Sequence, residues 1–202
     1  MSSRTLLESP SLLARVAFIG LVASSSASAQ VAATPASQAL PKGKQTTLGL
    51  YLTAREAFEK WKAAPQEVMV IDVRTLEEFI FVGHPTMAWL IPFATQTHRW
   101  NAAQRVFDME PLPDFVERVL KVAKPSSTLL VTCRSGGRGA MAVNALAKAG
   151  FTNVYNITDG VEGDEVKDPE SVFVGQRLVN GWKNSGAPWT YDIDPTRVVL
   201  PK

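Results

Sequence analysis

Between residues 53 and 157, apolar runs too continuous for a half-wet strand alternate with helix-period segments. "VMVIDVR" (68–74), "AWLIPF" (88–93), "STLLVTC" (127–133) and "TNVYNI" (152–157) each read as a strand buried on both faces. Helix signals stand between them. "TAREAFEKWKAA" opens with Thr53 and carries Glu56 at the capping-box position, with Phe58 and Trp61 on one face. "TLEEFIFVG" repeats that box with Thr75 and Glu78 and stops at Gly83. "PDFVERVLKVA" has Pro113 near its first turn, and "GAMAVNALAKAG" ends at Gly150. Strand and helix in alternation imply an α/β, three-layer fold: a mainly parallel central sheet with helices on both faces. Ligands of such sheets bind at the carboxyl ends of the strands.

The 202-residue chain is long enough for one cored domain, and its formal net charge of +2 comes without any basic run. That excludes a nucleic-acid face, which needs clustered Lys and Arg. Residues 1–29 read as a signal peptide, with Arg4 and Arg15, an apolar segment Val16 to Ala23, and Ala27-Ser28-Ala29 before a cut between Ala29 and Gln30. The apolar segment is too short to span a bilayer comfortably, so no stable membrane span is expected after cleavage; an uncleaved N-terminal anchor is the rival reading. The expected location is periplasmic or secreted. Residues 30–45 read as a flexible, Ala/Pro/Gln-rich lead-in and 46–202 as the domain. Cys133 is the single cysteine. An exported chain with an unpaired thiol must bury it or use it.

The loop after the third strand, "CRSGGRG", suits use. Gly136, Gly137 and Gly139 permit a tight turn that aims successive N–H groups inward, forming an anion nest. The following helix adds its positive N-terminal end, and Arg134 and Arg138 add permanent charge. All of these favour a Cys133 thiolate, and the same field would hold an anionic substrate. The arrangement is a nucleophile inside an anion cradle. A buried structural cysteine would need neither flanking cations nor three glycines. No nucleotide P-loop pattern is present.

The strand–"CRSGGR"–helix segment resembles the active-site loop of the rhodanese (sulfurtransferase) family. "IDVRTLEEF", "GHP" and "AWLIPF" resemble its upstream signature, and "NGWKNSGAPW" (180–189) its usual end, over roughly residues 46–190. The resemblance implies a rhodanese-like fold and a sulfurtransferase. Cys133 would take sulfane sulfur from a thiosulfate-like donor, hold it as a persulfide and pass it to a thiol, a protein sulfur acceptor or cyanide, with no cofactor, and the amides of Arg134, Ser135, Gly136, Gly137, Arg138 and Gly139 would hold the persulfide or the donor's anionic end. A persulfide carrier without turnover is the alternative. A phosphatase or arsenate reductase of the dual-specificity type is a further one, although relatives of that kind have a loop one residue longer. Two departures stand out. "GHPTMA" replaces the family's Gly-His-Ile-Pro-Gly-Ala, and residues 162–181 read as an insertion.

Asp72, Arg74, Glu78 and His84 are expected to be structural residues near the site. Asp72 is expected to accept backbone N–H groups, Arg74 to pair with Glu77 or Glu78, and His84 to fix a turn. His98 falls in "TQTHRWN", read as a polar loop that could reach over the site, with a site role the lesser of the two readings. Two histidines and one cysteine far apart imply no metal site. Trp61, Trp89, Trp182 and Trp189 read as core, and Trp100 as free for contact.

Overall fold

The structure, a computed structural model, describes residues 40–202. The signal-peptide reading (1–29), its cut site, and residues 30–39 lie outside the described residues. The described elements are β1 (Tyr51–Leu52), α1 (Ala54–Ala63), β2 (Val68–Asp72), α2 (Leu76–Val82), β3 (His84–Pro85), β4 (Trp89–Leu90), β5 (Ala94–Asn101), β6 (Val106–Pro111), α3 (Phe115–Leu120), β7 (Thr128–Thr132), α4 (Gly137–Lys148), β8 (Val154–Ile157) and β9 (Trp189–Thr190). Five strands form one parallel sheet in the order β1-β8-β7-β2-β4. The central pair is registered Val68 to Thr128 through Asp72 to Thr132.

Side-chain alternation along β2 and β7 divides the core. Ile71, Val73, Leu129 and Val131 pack with Phe115 and Val119 of α3 and with Val143 and Leu146 of α4. Val68, Val70 and Leu130 pack on the other face with Ala54 and Ala57 of α1, Phe79 of α2 and Trp182. Helices thus cover both faces, so neither central strand has a solvent side. That is why their sequences show unbroken apolar runs. Both capping boxes form: Thr53 with Glu56, and Thr75 with Glu78.

Three expectations are corrected. "TQTHRWN" is not a loop. It forms β5, paired antiparallel with β6 in a two-stranded hairpin, and His98 is exposed there. Trp100 packs edge-on against Phe107 at 5.2 Å between ring centres. Of "AWLIPF", only Trp89–Leu90 is regular strand; Ile91 and Phe93 N–H still donate to Asp72 O (2.9 Å) and Val73 O (3.1 Å), while Pro92 between them has no N–H to give, and the hairpin begins at Ala94. The described part of the lead-in, 40–45, is held in place. It contains a 3-10 turn, Lys42–Lys44, and the Lys44 carbonyl accepts from Asn156 Nδ2 at 3.0 Å. Residues 162–181 make a necked loop. Asp164 N–H donates to Asn180 Oδ1 (2.7 Å), and Arg177 pairs with Glu165 (2.8 Å). Val172, Phe173 and Val174 are exposed beyond that neck.

Candidate functional site

β7 ends in the middle of the sheet and delivers Cys133 to its carboxyl edge, directly before the turn into α4. The sequence placed the helix start at Gly139, but α4 begins at Gly137. Gly136 sits just before it at φ +95°, a conformation other residues resist. This bend brings the Gly136 N–H to Cys133 Sγ at 3.2 Å. Cys133 is 1% exposed.

The loop carbonyls point away from the sulfur. Cys133 O accepts from Val161 N–H (2.7 Å) and Arg134 O from Glu162 N–H (2.9 Å). Gly136 O accepts from Asn156 Nδ2 (3.1 Å). With the carbonyls so engaged, the amides of Arg134, Ser135, Gly137, Arg138 and Gly139 have no protein acceptor among the described residues. They form a ring of donors, continued by the first turn of α4, of the kind that binds an anion or a developing negative charge. Asn156 and the segment Asp159–Glu162 thus set the loop, yet nothing in the loop's own sequence marks them. A signal existed in "NITDG", where Gly160 holds φ +62° close to the loop backbone.

The two loop arginines play different parts. Arg138 was expected to present its charge to a bound anion. Instead both its Nη atoms bind Glu78, at 2.6 and 2.5 Å, and only its backbone amide faces the ring. Glu78 Oε2 also accepts the Thr75 N–H at 3.0 Å, so one carboxylate joins the α2 cap to the Cys133 loop. Arg74 does not pair with Glu77 or Glu78. It forms a fully buried pair with Asp72 (2.6 Å) and donates to Gly83 O (2.8 Å). Asp72 accepts the Arg74 N–H as expected. Arg134 is half exposed and lies 3.6 Å from Glu162.

Burial works against the Glu78 carboxylate, but the Arg138 hydrogen bonds and charge outweigh it, and the group is held below the ordinary range. A depressed carboxyl stabilises the fold above its unfolded pKa and loses that contribution as pH falls. Glu78→Gln leaves Arg138 without its counter-charge. The expected cost is about 2 kcal/mol, discounted for partial exposure, measured from urea unfolding midpoints at neutral pH.

His84 Nδ1 lies 3.0 Å from Pro85 O, and its ring stacks on Phe79 at 3.6 Å between centres. Burial, the largest influence, pushes the imidazole down from its ordinary value. The folded state therefore favours neutral His84, while the unfolded chain takes up a proton near pH ~6.5. Stability is full above that pH and falls as pH drops below it. The melting temperature is expected to decline between about pH 7 and about pH 5.5, and His84→Leu to flatten that slope.

Comparison with known proteins bears out the family resemblance. The family model described as Rhodanese-like domain matches residues 54–165. An uncharacterised protein, RP600, of Rickettsia prowazekii is 30% identical over 125 residues, covering 60% of this chain and 82% of that protein. Thiosulfate sulfurtransferase 16, chloroplastic, of Arabidopsis thaliana is 37% identical over 90 residues, 45% of this chain and 68% of that protein. The crystal structure of Rv0390 from M. tuberculosis superposes with a TM-score of 0.53 at 26% identity, over 70% of this chain and 96% of the other.

Proposed function

This chain belongs to the rhodanese-like domain family, and from that premise we propose that it is a sulfurtransferase whose nucleophile is Cys133. The observation that carries the reading is the loop itself: a buried sulfur 3.2 Å from one amide, beside a ring of further amides without acceptors among the described residues. With thiosulfate as donor, the Cys133 thiolate attacks the sulfane sulfur. A new S–S bond forms at Sγ, the S–S bond of thiosulfate breaks, and sulfite leaves as the dianion. The persulfide anion stays among the loop amides, which are already oriented and stabilise its charge without rearrangement. A thiolate or cyanide then attacks the outer sulfur and regenerates the Cys133 thiolate, giving a new persulfide or thiocyanate.

The experiment is the intact mass of the purified chain before and after millimolar thiosulfate, with Cys133→Ala alongside. One added sulfur on the parent alone supports the reading. No added sulfur on a folded parent, with this donor and with an alkyl persulfide, sinks it.

Hand-off to a protein acceptor is a second reading, favoured by the exposed Val172, Phe173 and Val174 on the necked loop that leaves the Cys133 loop at Glu162. Stable persulfide loading with weak turnover on cyanide would select it. For localisation we propose export, tested by whether the mature chain begins at Gln30.

A further inference from the structure

We propose that Glu162 determines which sulfane donor the Cys133 loop accepts, favouring alkyl hydropersulfides, R–S–SH, over dianionic thiosulfate. The inference rests on the sulfur-transfer reading above and narrows its donor.

Three guanidinium groups surround the loop, and each has its own carboxylate. Arg74 lies 2.6 Å from Asp72, Arg138 2.5 Å from Glu78 and Arg134 3.6 Å from Glu162. These three pairs sum to zero, so they leave the charge of a Cys133 thiolate unbalanced. The first two pairs are closed. Arg74 and Asp72 are wholly buried, and Arg138 is bound through two Nη atoms. Arg134 is the guanidinium of the three that can turn toward a donor: its side chain is 52% exposed and its single contact is long.

Glu162 is differently placed. Its side chain is 14% exposed, and its backbone N–H is tied to Arg134 O at 2.9 Å. When Arg134 swings to a ligand, the carboxylate stays behind, poorly solvated and without its own counter-charge; the buried Arg74 that also acts on it is already closed on Asp72. A dianion beside a thiolate needs that swing and is then repelled by the carboxylate it uncovers. A hydropersulfide needs only the ring of amides. The thiolate attacks its terminal sulfur, the R–S–SH sulfur–sulfur bond breaks, and the products are Cys133–S–SH and R–S⁻. The proton remains on the transferred sulfur, and atoms and charge balance.

The test is single-turnover loading of the purified full chain, followed by quenching and intact mass. The donors are thiosulfate, cysteine hydropersulfide and a persulfidated cysteine peptide, which separates small from peptide-borne persulfide. Each loading constant is divided by that donor's rate with free N-acetylcysteine. The parent is expected to favour both persulfides over thiosulfate by more than about tenfold. Glu162→Gln is expected to raise the thiosulfate constant about tenfold and to change the persulfide constants less than about twofold. Adding Arg134→Gln should remove the gain. A merely structural role for Glu162 would move all donors together, and that outcome overturns the proposal. So does a parent that favours thiosulfate, a result that needs no variant. A folded parent loaded by none of the donors overturns the sulfur-transfer reading itself.

Discussion

Cys133→Ser is expected to reduce sulfur transfer to the uncatalysed background, a loss of at least about a thousandfold in kcat/KM. It should leave the unfolding midpoint within about 1 kcal/mol of the parent. The two effects separate because the sulfur is small, buried and held by one hydrogen bond, from Gly136 N–H at 3.2 Å, which a hydroxyl oxygen can also accept. Serine keeps the fold and the donor ring but cannot form a persulfide. Steady-state transfer to cyanide, read beside urea unfolding, checks both halves. Retained transfer would place the nucleophile elsewhere. Loss of transfer together with collapse of stability would make Cys133 a packing residue.

Gly160→Ala should be nearly as damaging, although Gly160 lies outside the cysteine loop. At φ +62°, its added Cβ would meet Cys133 O at 2.4 Å and Ser135 N at 2.7 Å. All of these contacts are backbone, so no side chain can swing aside. The loop must shift, and with it the amides aimed at the sulfur. Misplacement by a few tenths of an ångström to one ångström is expected to cost about a hundredfold in kcat/KM. Strain and displacement together should cost about 2–3 kcal/mol of stability. Gly150→Ala is the matched control. It has φ +90° but nothing near the added Cβ, so it should lose about 1 kcal/mol and leave transfer unchanged. A Gly160→Ala protein with parental kcat/KM would show that the loop does not depend on its neighbour.

Much of the architecture was legible because burial writes itself into sequence. β2 and β7 lie between two helical layers, and their unbroken apolar runs announced that position. Both capping boxes formed as read, since a cap depends on residues three apart and on little else. The β5–β6 hairpin was hidden for the converse reason. Trp100, Val106, Phe107 and Met109 are exposed, no face is buried against the domain core, and the period-2 pattern that marks a strand is missing. β1, two residues long, is too short to leave a pattern at all.

The sequence by itself determined the layered α/β order, the position of Cys133 after a central strand, and the glycine that lets the chain bend back on its own sulfur. These follow from local dihedral preference and from hydrophobic periodicity, both of which act over a few residues. Only the tertiary structure decided where the charges go. The sequence offered Arg74, Arg138 and Arg134 against Asp72, Glu77, Glu78 and Glu162, and spacing could not sort them. Arg74 chose its near neighbour Asp72, whereas Arg138 reached back 60 residues to Glu78. An ion pair is formed by whichever partners packing brings within about 4 Å, and that distance is set by the layers and not by the chain. The same holds for Asn156 and Gly160, which shape the cysteine loop only because β8 lies beside β7.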